Sequence, residues 1–153
     1  MMASDSLVVR LRPAVTDDLS FVFKVKQEAL RESIAKTWGW DDAWQEQYHV
    51  EHFDPRSYQI IMLNGEDIGC ISIDERVDEL HLAVLELLPA FPNHGIGTGL
   101  IQDLIDRAKF ENKSVMLEVL KVNKRAKTLY KRLGFVDVHC EKLTHHRMVY
   151  VTK

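Results

Sequence analysis

Residues 80–110, LHLAVLELLPAFPNHGIGTGLIQDLIDRAKF, run from an apolar strand-like segment through PNHGIGTG into a helical pattern. Three of the chain's seven glycines, Gly95, Gly97 and Gly99, fall within five positions of that junction. A strand that ends in such a turn and passes straight into a helix exposes backbone N–H groups with no intrahelical partner, where the helix dipole adds partial positive charge. Glycine admits unusual backbone conformations and the close approach of an anion, so the junction suits a phosphate. Tight packing of the turn uses the same residues, and the stretch alone leaves both readings open. The common nucleotide motifs do not fit: no Lys-Ser/Thr follows the glycines, and GIGTGL lacks the G-x-G-x-x-G spacing.

Downstream of the junction, Leu100, Ile101, Leu104, Ile105 and Ala108 repeat along one helical stripe. SVMLEVL reads as a short apolar strand, NKRAKTLYKRLG as a helix capped by Asn123 and ended by Gly134, and FVDVHCEKL with HHRMVYV as a terminal strand pair. Upstream, SYQIIML and DIGCISIDER flank Asn64-Gly65, a pair suited to the positive φ angles of a tight hairpin turn, and ELHLAVLELLP follows as a third strand. LVVRLRP opens the chain as a strand closed by Pro13. Thr16-Asp17-Asp18 supplies the cap and acidic first turn of an amphipathic helix, and Asp41 caps a shorter one. This order predicts a single α+β domain over residues 1–153, with a mostly antiparallel sheet and one βαβ-like crossover at the glycines.

Bulk properties narrow the classes of function. Twenty Lys and Arg against 23 Asp and Glu leave a formal charge of -3, so no basic field draws in a nucleic acid. No run approaches the roughly 18 apolar residues of a membrane span, and MMASDSLVVRLRP lacks a signal-peptide layout, so a cytoplasmic chain is expected. Cys70 and Cys140 share no CxxC spacing, and the adjacent His145 and His146 would point to opposite faces of a strand, so no metal is expected.

With its neighbours, the glycine stretch resembles the GNAT superfamily of acetyl-CoA-dependent N-acetyltransferases. Pro92-Asn93-His94-Gly95-Ile96-Gly97 matches the signature Gln/Arg-x-x-Gly-x-Gly/Ala except at Pro92, and LEVLKVNKRAKTLYKRLGF is similar to the downstream motif L-x-V-x-x-x-N-x-x-A-x-x-L-Y-x-x-x-G-F at every fixed position. The likeness is close from about Leu80 to Phe135 and loose toward both ends. It implies a sheet of about seven strands flanked by about four helices, with acetyl-CoA as the acetyl donor. It also implies that the backbone amides of Asn93, His94, Gly95, Ile96, Gly97 and Thr98 hold the CoA pyrophosphate. The strand ending near Leu87 and Leu88 would pair with the pantetheine arm, and Asn123 would hydrogen-bond that arm besides capping its helix. Pro92 removes one backbone and one side-chain donor. Gly99, one turn into the helix, suits close packing against the sheet.

Acetyl transfer to an amine needs the ammonium deprotonated, the thioester carbonyl polarised and the departing thiolate protonated. The resemblance puts Tyr130 near the thioester sulfur as general acid; on its own residue type it reads equally as a packed aromatic. Glu118 lies twelve residues before Tyr130, the spacing of the glutamate base and tyrosine acid in ribosomal-protein N-terminal acetyltransferases, and burial in a strand would raise its pKa. Counted back from the glycines, His81 falls where histone-acetylating members carry their glutamate base, with Glu79 on the same face. Solvated strand residues are the competing reading for all three. Glu86 should face the other way unless a bulge intervenes. Cys140 could carry an acyl group in a covalent route, but nothing in the sequence places a base beside it.

For the acceptor, Trp38, Trp40, Trp44 and Tyr48 stand among Asp41, Asp42, Glu46 and Glu51, a mixture suited to a cationic amine or, equally, to a core-covering helix with an acidic face. The expected protein is an N-acetyltransferase for the primary amine of a small metabolite or a protein N-terminus, acting by direct attack in a ternary complex. A non-catalytic acyl-CoA binding domain is the alternative, and the resemblance also allows a homodimer.

Overall fold

The computed structural model describes residues 8–91 and 95–152. Strand β1 (Val9–Pro13) leads through a single 3-10 turn into helix α1 (Leu19–Trp38), and α2 (Asp42–His52) follows. Strands β2 (Gln59–Leu63), β3 (Glu66–Glu75) and β4 (Glu79–Leu87) form the meander, α3 (Ile96–Glu111) crosses over to β5 (Ser114–Leu120), and α4 (Lys124–Arg132) precedes β6 (Val136–Val138) and β7 (His145–Tyr150). The seven strands lie in the order β1-β2-β3-β4-β5-β7-β6, and only β4 and β5 run parallel.

Local chemistry sets the turns. Asn64 (φ 51) and Gly65 (φ 85) close the β2–β3 hairpin in the left-handed region, as the Asn-Gly pair predicts. Asp41 caps α2 by accepting the Trp44 N–H at 2.9 Å. Gly134, at φ 105, ends α4 where a Cβ would run into the Tyr150 ring. The start of α1 differs from expectation. Thr16 does not cap it; instead the buried Asp18 carboxylate accepts the Val15 N–H at 2.8 Å and both Nη groups of Arg12 at 2.9 Å, pinning β1 to the helix.

Two apolar layers sandwich the sheet. Val22 and Val25 of α1 meet Ile60, Cys70 and Leu88 on one face. On the other, Ile101, Leu104, Ile105 and Ala108 of α3 meet Ile61, Leu80, Leu82, Leu117 and Met148, with Tyr130 of α4 and Leu133 just past its end packed alongside. Of the predicted terminal strand FVDVHCEKL only Val136–Val138 is extended, and β7 inserts between it and β5. Gly99 also departs from expectation: it is exposed, and no neighbouring atom of the described residues lies within 4 Å of where its Cβ would be. The close approach is at Gly69 instead, where a Cβ would strike the Glu86 carbonyl oxygen. Among the described residues no helix is long and apolar enough to cross a membrane, and no cluster of His, Cys, Asp and Glu could hold a metal ion.

Two features of β4 position everything that follows. First, its register against β3 slips between Ser72↔Val84 and Ile73↔Leu82, so Ala83 is an extra, bulged residue. The slip resets the alternation: Leu80 and Leu82 before it and Leu85 and Leu87 after it all pack on the α3 side. Glu79, His81, Val84, Glu86 and Leu88 therefore share the α1 side, and Glu86 joins the face from which strict alternation would exclude it. Second, β4 pairs with β5 over only three rungs, Glu79↔Ser114, Leu80↔Val115 and His81↔Met116, after which the two strands separate.

Candidate active site

Beyond His81, β4 and β5 enclose a wedge-shaped gap in the sheet. The Leu88 N–H is committed to the Ile68 carbonyl at 2.8 Å, so by alternation Leu87 and Leu85 turn their peptide groups away from β3 and into the gap. Of the two residues expected to pair with a cofactor arm, Leu87 is thus free to do so, while the Leu88 N–H is not. Past the end of β4, α3 begins with Gly95 at φ 78, and the Gly97 Cβ position has no neighbouring atom of the described residues within 4 Å although Gly97 itself is buried. That space, open among the described residues, fits a phosphate, with the Ile96, Gly97 and Thr98 amides closest to the helix start. Asn93, His94 and Pro92 lie outside the described residues. Across the gap, Asn123 caps α4 through Oδ1, which accepts the Ala126 N–H at 3.2 Å, leaving its amide group to donate elsewhere.

The titratable groups divide between the two faces of the gap. Glu86 lies on the α1 side; burial pushes its carboxyl up to about 7, against the pull of the Lys26 ammonium. Tyr130 packs on the α3 side, edge-on to Phe135 at 5.8 Å between ring centres. Its hydroxyl is held above the ordinary value by burial and then by the charge of Glu86.

The three sequence-nominated bases are brought to the same face as Glu86 but are engaged with cations. Glu79, at the closed end of the gap, accepts Arg76 Nη1 at 2.7 Å and lies 4.0 Å from Arg147. Arg76 also donates to His81 Nδ1 at 3.2 Å; with that nitrogen accepting, the neutral ring carries its proton on Nε2 and has no free lone pair. Burial and then Arg76 keep the His81 imidazole below its ordinary value, against Glu118, Asp74 and Glu79. Glu118 stands on the open stretch of β5, opposite Arg147 of β7. Burial acts most strongly, to raise its carboxyl, but the 2.7 Å bond and the charge of Lys142, joined by His145 and Cys140, together hold it below the ordinary range. Cys140 Sγ lies 3.7 Å from Glu118 Oε2, so the structure does place a carboxylate beside that thiol.

Above this face, α1 and α2 enclose a cavity of ≈ 550 Å³. Trp38, Trp44 and Tyr48 line it as the sequence suggests, joined by Lys26, Asp41 and Gln45. Trp40 is not among the lining residues: its Nε1–H donates to Asp42 at 2.6 Å, and Arg31 lies over its ring. Two links tie the cavity to the gap, the Lys26 charge acting on Glu86 and the Trp38 ring 6.0 Å from the His145 ring of β7. Sequence reasoning set Glu86 aside and did not single out Lys26. The signal for Glu86 lay in the apolar phase of β4, where Leu80 and Leu82 give way to Leu85 and Leu87.

A mostly antiparallel sheet opened between two parallel neighbours, with a glycine-led helix at the wide end of the opening, defines an acyltransferase fold. The sequence matches the acetyltransferase (GNAT) family over residues 23–135, and the chain belongs to that family. Among solved structures it is similar to the PaiA N-acetyltransferase of Thermoplasma acidophilum in complex with coenzyme A (TM-score 0.76, 18% identity, covering 94% of this chain and 99% of that one). It is also similar to the ribosomal-protein-S18-alanine N-acetyltransferase of Escherichia coli (0.64, 20%, 93% and 91%). A third likeness is to Arabidopsis thaliana Naa50 in complex with the bisubstrate analogue CoA-Ac-MVNAL (0.62, 15%, 93% and 97%). At these identities the likeness speaks for the fold. No curated protein matches the sequence.

Proposed function

We propose that the protein transfers the acetyl group of acetyl-CoA to the primary amine of a small metabolite or a peptide by direct attack, with Glu86 as the proton acceptor and Tyr130 as the proton donor. The observation that carries this reading is the gap between β4 and β5, with Glu86 on one side of it and Tyr130 on the other. Acetyl-CoA supplies a thioester whose carbonyl carbon the amine attacks. The free peptide groups of Leu85 and Leu87 bind the extended arm as a further strand would, and the amides of Ile96, Gly97 and Thr98 face the pyrophosphate. The complexes of two structural neighbours with coenzyme A and with a CoA-peptide analogue support this use of the fold.

A general base works best when its pKa lies near the working pH, and Glu86, pushed up to about 7, meets that condition. Glu118 is held below the ordinary range by Lys142 and its other neighbours, Glu79 accepts a hydrogen bond from Arg76, and the His81 lone pair is engaged. Those three residues instead set the field into which the acceptor ammonium comes. Tyr130 keeps its proton at neutral pH and donates it to the leaving sulfur. The test is free-thiol release from acetyl-CoA over a panel of amines. Tyr130→Phe is expected to lower kcat by on the order of 10² or more, and Glu86→Gln to abolish the rise of kcat/KM near pH 7. Unchanged turnover in the first variant removes Tyr130 from the acid role, and a retained rise in the second removes Glu86 from the base role.

A further inference from the structure

The cavity between α1 and α2 is lined by a cation, Lys26, as well as by the carboxylate its sequence suggests, Asp41. Of the nearby carboxylates, Asp42 accepts from Trp40 and lies 3.5 Å from Arg31, Glu51 accepts from Gln47, and Asp41 Oδ1 accepts the Trp44 N–H. The cation inside is Lys26, half-buried, with its Nζ 5.5 Å from the centre of the Tyr48 ring. Among the described residues no carboxylate lies within ion-pairing distance of it, and burial pushes its ammonium below the ordinary value, with Glu86 only partly restoring it. A buried ammonium without a close counter-ion is costly, and an anion from outside relieves that cost. Around it, Trp38 (61% exposed) and Trp44 (58% exposed) leave large flat apolar surfaces open at the cavity rim. An indole or phenyl body lies well against such surfaces, and ≈ 550 Å³ is within the usual range for a small organic ligand.

We infer that the cavity binds the carboxylate of the acceptor, held by Lys26, with its planar apolar body against Trp38, Trp44 and Tyr48. The acceptor class is then an aromatic or apolar amino carboxylate whose amine end points away from Lys26 and toward the gap. This rests on the acetyl-transfer reading for the amine, but the carboxylate site itself is tested without any transfer.

The probes are indole-3-propionate, which carries the carboxylate and no amine, indole-3-propionamide, which lacks the charge, and tryptamine, which reverses it. Calorimetric titration of the full chain is expected to show the carboxylate binding about tenfold or more tighter than the amide, the worth of one charge-assisted hydrogen bond. Tryptamine should bind weakest. Lys26→Met should bring the carboxylate-to-amide ratio near one while retaining the amide's own affinity, and Lys26→Arg should restore the preference. Equal affinities in the wild type, tighter tryptamine binding, or an unchanged ratio in Lys26→Met would overturn the inference. If the carboxylate binds as described but no amine supports thiol release from acetyl-CoA, the transfer reading fails and the carboxylate site stands.

Discussion

Replacing Glu86 with glutamine separates its catalytic use from its effect on stability. The ordinary value of 4.5 against about 7 in the folded chain means that the fold prefers protonated Glu86. At ~1.36 kcal/mol per pH unit, ionised Glu86 destabilises the native state by roughly 3 kcal/mol once both states are deprotonated. The favourable contribution is fully present below about pH 4.5, where native and unfolded chains are both protonated. It is lost as pH rises through about 7. Glutamine does not titrate, so the difference between variant and wild type reports this carboxyl together with the groups its charge acts on, Lys26 and Tyr130 among them. Urea unfolding should show Glu86→Gln gaining on the wild type by about 2 to 3 kcal/mol between about pH 5 and about pH 8. In thermal unfolding the same gain corresponds to roughly 5 to 10 °C for a chain of this size. The same variant should be the poorer enzyme, since this carboxylate is the proposed proton acceptor. A stability difference that does not change with pH would refute the buried, raised carboxyl, and with it the reason for assigning Glu86 the base.

Other expectations follow from single contacts. Gly97→Ala should unfold no more easily than the wild type, because its Cβ meets no neighbouring atom of the described residues and alanine is the better helix residue, yet its CoA affinity should fall about tenfold or more. Gly69→Ala should instead destabilise by roughly 1 to 3 kcal/mol in denaturant titration, since its Cβ strikes the Glu86 backbone. Arg12→Ala removes both hydrogen bonds to buried Asp18 and one to Asp67, and should cost about 2 to 3 kcal/mol at neutral pH. Asp18 is held below its ordinary range by Arg12, so this difference should shrink as pH falls through its lowered value. Cys140→Ala should leave steady-state turnover unchanged; loss of turnover, with acetyl label on the wild-type thiol, would establish the covalent route instead.

Much of this was legible in the chain because local chemistry and tertiary need agree. Asn64-Gly65, the Asp41 cap, the Gly134 stop and the apolar stripe of α3 each act within a few residues, and the pattern of elements leads to the observed sheet. The proposed cofactor cleft rests on the motifs around Gly95 and Asn123, which were legible in the sequence. What escaped is long-range. Asp18 anchors α1 through Arg12 rather than Thr16 capping it, because the partner comes from another strand. The engagement of Glu79 and His81 depends on where the β3–β4 turn carries Arg76, and that of Glu118 on Lys142. Lys26, one ordinary position on an amphipathic helix, becomes notable only when Tyr48 of the next helix lies beneath it.

The extra residue at Ala83 also fixes what the chain can tolerate. Ala83 is exposed and contacts neither apolar layer, so substituting its side chain should matter little. Removing the residue should spare both faces as well: without Ala83 a regular strand still alternates Leu80, Leu82, Leu85 and Leu87 onto the α3 side and Glu86 onto the other. What the fold excludes is the full-length strand without its bulge, which would turn Leu85 and Leu87 away from the α3 side and drive the Glu86 carboxylate among Leu80, Leu82 and Ile101.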